Sequence, residues 1–141
     1  MTYLSDTNII SELISKTPNK NVVNFILKLE EESLYLSVIT IGEIKAGIEK
    51  LDNSKKKEKL LNWLENDLLI RFEHRIVDID TEVMLKWGFI TAKLKKEGKP
   101  LPIMDSLIGS TAQAKNLVLL TRNEKDFKNF DIKVITPFKV E

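Results

Sequence analysis

Short runs of apolar and β-branched residues alternate along this chain with longer stretches whose apolar side chains recur every three or four positions. The short runs predict five strands, at residues 2–5, 34–38, 75–79, 117–121 and 132–135. The longer stretches predict helices, because that spacing places apolar side chains along one helical face. Strands that alternate with helices are typical of a parallel sheet with helical crossovers. The sequence therefore predicts an α/β protein.

Length and composition favour one globular domain. At 141 residues the chain suits a single domain of residues 1–141. Its hydrophobic content of 43% and charged content of 30% are ordinary for a soluble protein. No apolar run is long enough to span a bilayer, and the first residues lack the basic and apolar regions of a signal peptide. We therefore expect a cytoplasmic protein without a membrane partner.

The absence of cysteine excludes several kinds of chemistry. It rules out disulfides, thiolate zinc sites and cysteine nucleophiles. The single histidine, His74, lies in the charged segment 71–75, which argues against a Ser-His-Asp triad. The net charge of +1 does not demand a polyanionic partner. Catalysis by carboxylates is compatible with all of these limits.

Four strand-like stretches each run into an acidic or carboxamide residue. Asp6 follows residues 3–5, Glu43 follows 34–38, Asp105 follows 102–104, and Asn123 and Asp126 follow 117–121. In an open α/β sheet the carboxyl ends of the strands form the ligand-binding crevice. At ~5 Å and an effective dielectric of ~20, each pair of carboxylates repels by roughly 3 kcal/mol, so such a cluster must bind a cation or hold protons. A hard divalent metal ion is the simplest solution.

Helix capping is the alternative interpretation of three of these acidic residues. Asp6 is a good N-cap for a helix that begins at Thr7, and Asp105 for the apolar helix that follows it. Glu43 also fits a capping box with Thr40. Spacing alone does not decide between a cap and a metal ligand at these positions.

The segment 121–127 leaves a second choice open. Asn123 suits a turn, and Asp126 follows one helical turn later, so either side chain is a candidate to point back towards the other acidic residues. Arg122 is a candidate phosphate contact, with an ordinary surface charge as the alternative.

Four motifs carry a resemblance to a known family. They are LSDTNIISEL at residues 4–13, SVITIGEIKAGI at 37–48, PIMDSLIGSTA at 102–112 and LLTRNEKDF at 119–127. Together they span nearly the whole chain in the right order and resemble the PIN-domain ribonucleases, specifically the VapC-type toxins of bacterial toxin–antitoxin pairs. The resemblance implies a three-layer α/β/α PIN-like fold with a central parallel sheet of four to five strands.

The resemblance also implies an activity and a site. It implies an endoribonuclease that hydrolyses RNA phosphodiester bonds with Mg²⁺ or Mn²⁺, that is inhibited by a cognate antitoxin protein and that forms a homodimer. The implied metal ligands are Asp6, Glu43 and Asp105. The fourth catalytic position falls to Asp126, with the amide oxygen of Asn123 as the alternative. From residue type and position, the candidate substrate contacts are Thr7, Asn8, Thr121, Arg122 and Asn123.

One departure from the family pattern supports an alternative function. Relatives often carry a carboxylate at the position of Asn123, so this chain has less charge there. The alternative is a PIN-like module that binds RNA or a protein without significant nuclease activity. A phospho-signalling receiver domain fits poorly, because no paired acidic residues end the first strand.

Overall fold

A computed structural model describes residues 1–139 of the chain. The strands are β1 (Tyr3–Ser5), β2 (Leu34–Ser37), β3 (Ile76–Val77), β4 (Val118–Leu120) and β5 (Val134–Ile135). The helices are α1 (Thr7–Ile14), α2 (Lys20–Lys28), α3 (Val38–Glu49), α4 (Lys55–Trp63), α5 (Leu69–Arg71), α6 (Thr81–Lys96) and α7 (Ile103–Ala114). A π-helical turn, Leu64–Leu68, joins α4 to α5, and 3₁₀ turns cover Glu31–Ser33 and Glu124–Phe127.

The five strands form one parallel sheet in the order β3-β2-β1-β4-β5. β1 is central, with Ser5 opposite Leu36 on β2 and opposite Leu120 on β4. The chain progresses outward in one direction through β2 and β3, and in the other through β4 and β5. The carboxyl ends of β1 and β4 therefore flank a topological switch point, where α/β sheets form their ligand crevices.

Helices cover both faces of the sheet, each over its own apolar cluster. One cluster joins the apolar faces of α1, α2 and α3 to β2 and includes Ile10, Ile26 and Ile44. The other joins α6 and α7 to β1 and β4 and includes Ile90 and Ile108. Neighbouring residues of β4 point to opposite clusters, as expected for a strand buried on both faces. This is the three-layer α/β/α arrangement that the family resemblance implies.

The five predicted strands are confirmed, and each is shorter than its predicted run by one or more residues. The stretch before Asp105 was wrongly interpreted as strand-like: α7 begins at Ile103, so Asp105 is its third residue. Pro102 precedes the helix with φ −54°, a value that proline fixes and that suits the start of a helix. No helix within residues 1–139 is long and apolar enough to cross a membrane. Residues 140 and 141 of the predicted domain lie outside the described part.

Gly109 and Gly88 lie inside neighbouring helices but face different surroundings. A Cβ atom at Gly109 would lie 2.6 Å from a ring carbon of Phe130, whereas one at Gly88 would meet nothing within 4 Å. We expect Gly109→Ala to lower the free energy of unfolding by about 1–3 kcal/mol through overpacking. Gly88→Ala should raise it by about 0.5–1 kcal/mol through helix propensity. Urea denaturation of both variants checks this, and equal effects would contradict the tight packing of Phe130 on α7.

Candidate active site

Asp6 lies at the carboxyl end of β1, at the switch point of the sheet, and is only 5% exposed. Its Oδ1 accepts a hydrogen bond from the Thr7 backbone N–H at 2.8 Å, so Asp6 does cap α1. Its Oδ2 accepts from the Thr121 hydroxyl at 2.7 Å and from the Asn8 side-chain amide at 3.3 Å. Capping therefore occupies one oxygen, while residues from two segments far apart in sequence orient the other.

The side chain of Thr7, the residue after Asp6, connects Glu43 to the carboxyl end of β1. The Thr7 hydroxyl lies 2.6 Å from Glu43 Oε1 and 3.2 Å from the hydroxyl of the buried Thr40. The capping-box interpretation of Glu43 is wrong, because α3 begins at Val38, with the Ser37 hydroxyl accepting from the Ile39 N–H. Glu43 is the sixth residue of α3, so its carboxylate turns towards the end of β1 rather than back to a cap.

Asp105 enters from the opposite layer, in the first turn of α7. The adjacent Ser106 accepts a 2.9 Å hydrogen bond from the Trp87 indole N–H and donates one to the Ile103 carbonyl. The first bond ties the start of α7 to α6, and the second lies within the first turn of α7. They fix the backbone that carries Asp105 without using its carboxylate.

The site disfavours negative charge at two positions. Burial raises the pKa of Asp6, even though hydrogen bonds from Thr121, Thr7 and Asn8 oppose that shift. Burial also raises the pKa of Asp105, and the charges of Asp6, Asp126 and Glu43 raise it further. Carboxylates from three other segments of the chain thus act on Asp105. Such a cluster attracts cations.

The 3₁₀ turn after β4 bears on the choice between Asn123 and Asp126. Asp126 is half-buried and is one of the charges that act on Asp105. Asn123 is exposed, and its side chain makes no capping hydrogen bond at the start of the turn. Its backbone N–H instead donates to the Thr121 hydroxyl at 3.1 Å. Partial burial and its charge effect on Asp105 make Asp126 the better candidate for the fourth acidic position.

The residues predicted as substrate contacts differ in their solvent exposure. Thr121 is fully buried and its hydroxyl is used on Asp6, so we interpret it as a residue that orients Asp6. Thr7 is half-buried and bonded to Glu43. Asn8 connects the buried Asp6 to the exposed Arg122, because its amide nitrogen donates to Asp6 and its oxygen accepts from the Arg122 N–H at 3.1 Å. Arg122 and Asn123 are exposed.

The donor set suits a hard cation that keeps part of its water shell. Carboxylate oxygens are the ligands that Mg²⁺ and Mn²⁺ prefer. In the part of the chain that the structure describes, no three acidic or histidine side chains are arranged as a complete metal site. Mg²⁺ is commonly held by one or two carboxylates together with water and substrate phosphate oxygens, so it does not require three carboxylates to contact it directly.

Sequence reasoning overlooked two residues near the site. The Thr40 hydroxyl donates to the Thr7 hydroxyl, whose own proton is used on Glu43, and Thr40 lies one helical turn before Glu43 on α3, a spacing that was itself a usable signal. Phe138 carries the Arg122 guanidinium 4.3 Å above its ring. No local pattern indicates that contact, because 16 positions separate the two residues.

The sheet is parallel, helices cover both of its faces, and a carboxylate cluster lies at its switch point. These features define a class of α/β proteins with an acidic crevice that attracts cations. The PIN domain family model matches residues 3–133, and the chain belongs to that family. It is 36% identical to toxin FitB of Neisseria gonorrhoeae, covering 96% of this chain and 97% of that protein. It is 34% identical to ribonuclease VapC2 of Rickettsia felis, covering 91% of each. The structure of FitAB bound to the IR36 DNA fragment matches with a TM-score of 0.94 and 34% identity, over 99% and 98% of the two chains.

The raised pKa of Asp105 makes a prediction about stability. Without a cation, Asp105→Asn removes a charge that its neighbours disfavour, so we expect the melting temperature at neutral pH to rise by about 2–5 °C. Asn forgoes the favourable interaction of a carboxylate with the helix N-terminus, but the upward shift indicates that burial and repulsion outweigh it. Because the pKa of Asp105 is raised in the folded state, the penalty is complete above that folded pKa, so the gain should shrink as the pH falls from the folded pKa to the unfolded pKa and vanish below it.

Thermal unfolding in excess chelator measures this gain across a pH series. Asp52→Asn, at an exposed position between α3 and α4, is the matched control and should change little. A destabilised Asp105→Asn protein at neutral pH would contradict the electrostatic account.

Proposed function

We propose that this chain is a metal-dependent endoribonuclease that hydrolyses RNA phosphodiester bonds and acts as the toxin of a toxin–antitoxin pair. The observation that carries the proposal is the meeting of Asp6 and Glu43 at Thr7, at the carboxyl end of β1, with Asp105 and Asp126 as further acidic residues of the same site. Membership of the PIN family and similarity to a protein named a ribonuclease support it. An RNA substrate implies action in the cytoplasm.

We assign Asp6, Glu43 and Asp105 as the residues that hold Mg²⁺ or Mn²⁺, one or two of them directly and the remainder through the water that the ion retains. When bound, such an ion lowers the pKa of water and stabilises negative charge on an attacked phosphate. Other side chains of the protein orient these acidic residues. Thr121 and Asn8 orient Asp6, Thr7 and Thr40 orient Glu43, and the hydrogen bond from Trp87 to Ser106 fixes the start of α7 beside Asp105.

We assign Asp126 as the fourth acidic residue, and Asn8, Arg122 and Asn123 as groups at the rim that contact RNA. Asp126 acts electrostatically on Asp105, whereas Asn123 and Arg122 are exposed next to it in sequence. The alternative, a PIN-like binding module without nuclease activity, rested on the neutral Asn123. Asp126 removes much of that support, because a neighbouring residue supplies the missing charge.

The proposed partners are a cognate antitoxin and a second copy of the chain. The similarity to toxin FitB and to a FitAB structure bound to DNA supports an antitoxin that itself binds DNA. For the homodimer we propose the exposed face of α6, where Leu85 and Phe89, four positions apart, are 72% and 71% exposed. Large apolar side chains grouped on one face are typical of protein interfaces.

Cleavage of a structured RNA with Mg²⁺ or Mn²⁺ tests the activity. We expect Asp6→Asn and Asp105→Asn to lower the cleavage rate at least about a thousandfold, because each removes an ionised metal ligand. Asp126→Asn should lower it less, and Asn123→Ala least. Gel analysis of a labelled RNA measures the rates, and circular dichroism confirms that each variant is folded.

The chelator and partner controls separate the two candidate functions. Cleavage that persists in excess chelator would overturn the metal mechanism. Tight RNA binding without turnover on several RNA substrates would instead support the binding module. Co-expression with a small DNA-binding protein from a neighbouring reading frame should suppress cleavage if that protein is the antitoxin.

The oligomeric state tests the α6 face. We expect the protein to be a dimer and Phe89→Glu to shift it to monomer, because a carboxylate cannot be buried unpaired in an apolar contact. Leu27→Glu is the matched control, since Leu27 is also 76% exposed but lies on α2. Light scattering after size-exclusion chromatography measures both. A monomeric parent, or equal dissociation by both variants, would contradict this interface.

A further inference from the structure

The segment 136–139, which follows β5, packs against the loop that leaves β4. Phe138 lies under the Arg122 guanidinium, and Lys139 forms an ion pair with Glu124. The Thr136 hydroxyl donates to the same Glu124 carboxylate at 3.4 Å. From the other side, the Asn21 side-chain amide donates to the Phe138 carbonyl at 3.0 Å, which anchors the segment to α2. These contacts connect a segment remote from the acidic cluster to the loop that carries Asp126.

Within residues 1–139, Arg122 and Lys125 are the cations of this loop that form no ion pair, and Arg122 is the one stacked on Phe138. The Arg122 backbone N–H donates to Asn8, whose amide nitrogen in turn donates to Asp6. Two hydrogen bonds thus connect the Arg122 backbone to the central carboxylate of the site.

The contact with Phe138 restrains the Arg122 side chain without using its hydrogen bonds. A guanidinium held over an aromatic face is attracted by the electron density of the ring, while the N–H groups at its edge stay free for an anion. An unrestrained arginine loses rotamer freedom when it binds a phosphate, and an arginine that is already stacked loses less. The same guanidinium edge matches the geometry of phosphate oxygens.

We propose that Phe138 is a positioning residue that holds Arg122 at the rim of the acidic site to bind a phosphate of the RNA backbone. The proposal rests on the proposed function, since it concerns how the same site holds its substrate. It assigns to the 136–139 segment a role in substrate affinity that local sequence does not indicate. Phe138 itself does not touch the substrate.

RNA affinity in a double-mutant cycle tests this role. The full chain carrying Asp105→Asn, which prevents turnover, is titrated into a fluorescently labelled single-stranded RNA with Mg²⁺, and anisotropy measures binding. We expect Phe138→Leu, which keeps apolar packing but lacks a ring, to weaken binding about two- to fivefold, the factor that corresponds to an exposed cation–π contact. Phe138→Tyr should keep the affinity. In an Arg122→Gln background, Phe138→Leu should have no further effect.

Salt dependence gives a second readout that a purely structural role would not change. Arg122→Gln should lower the slope of log affinity against log salt by about 0.7, the value for one phosphate contact on a single strand. Phe138→Leu should lower it in the same direction. If Phe138→Leu unfolds the protein, Arg122→Lys carries the test, because lysine keeps the charge but lacks the planar group that stacks. Its affinity should then fall.

The possible outcomes are distinguishable. Unchanged affinity of Phe138→Leu, the same loss in the Arg122→Gln background, or full affinity of Arg122→Lys would overturn the positioning role while leaving the nuclease proposal intact. A parent protein that neither binds nor cleaves RNA would overturn both. A parent that binds RNA without cleaving it would support the alternative function, and the cycle would still decide the role of Phe138.

Discussion

β1 pairs in parallel with β2 on one side and with β4 on the other, and the geometry of the acidic site depends on those two pairings. They bring the carboxyl ends of three strands to one edge of the sheet, at the point where chain order reverses. Asp6 follows β1, Thr121 follows β4, and Glu43 reaches the same place from the helix after β2. A register shift of one residue would turn Asp6 to the other face of the sheet and break its hydrogen bond with Thr121.

Threonine hydroxyls hold together carboxylates that would otherwise repel. Thr7 donates to Glu43, and Thr121 donates to Asp6. A hydroxyl neutralises no charge, so it orients a carboxylate and leaves the electrostatic cost of the cluster in place. Burial first, and then the repulsion between carboxylates, raises the pKa of Asp6 and of Asp105. A bound cation relieves the repulsion, which gives the proposed activity a direct physical link to the stability of the fold.

The outer part of the site is built differently from the inner part. Inside, buried hydroxyls and backbone N–H groups set positions within a close-packed interior. At the rim, Arg122 is exposed, and its stacking on Phe138 restrains the side chain. Buried carboxylates held in fixed positions, with a more mobile cation beside them, suit a polymeric ligand such as RNA. One phosphate of such a ligand must be placed accurately, while the rest of the polymer varies.

The sequence by itself determined the fold class, the order of the strands along the chain and the acidic residues Asp6, Glu43 and Asp105 as candidates. These follow from periodicity and from residue type at strand ends, which are local properties. Tertiary structure decided the rest. It excluded a capping box at Glu43, moved the start of α7 to Ile103, favoured Asp126 over Asn123 and revealed the stacking of Arg122 on Phe138. Each of these depends on which segments meet across the sheet, and spacing along the chain does not contain that information.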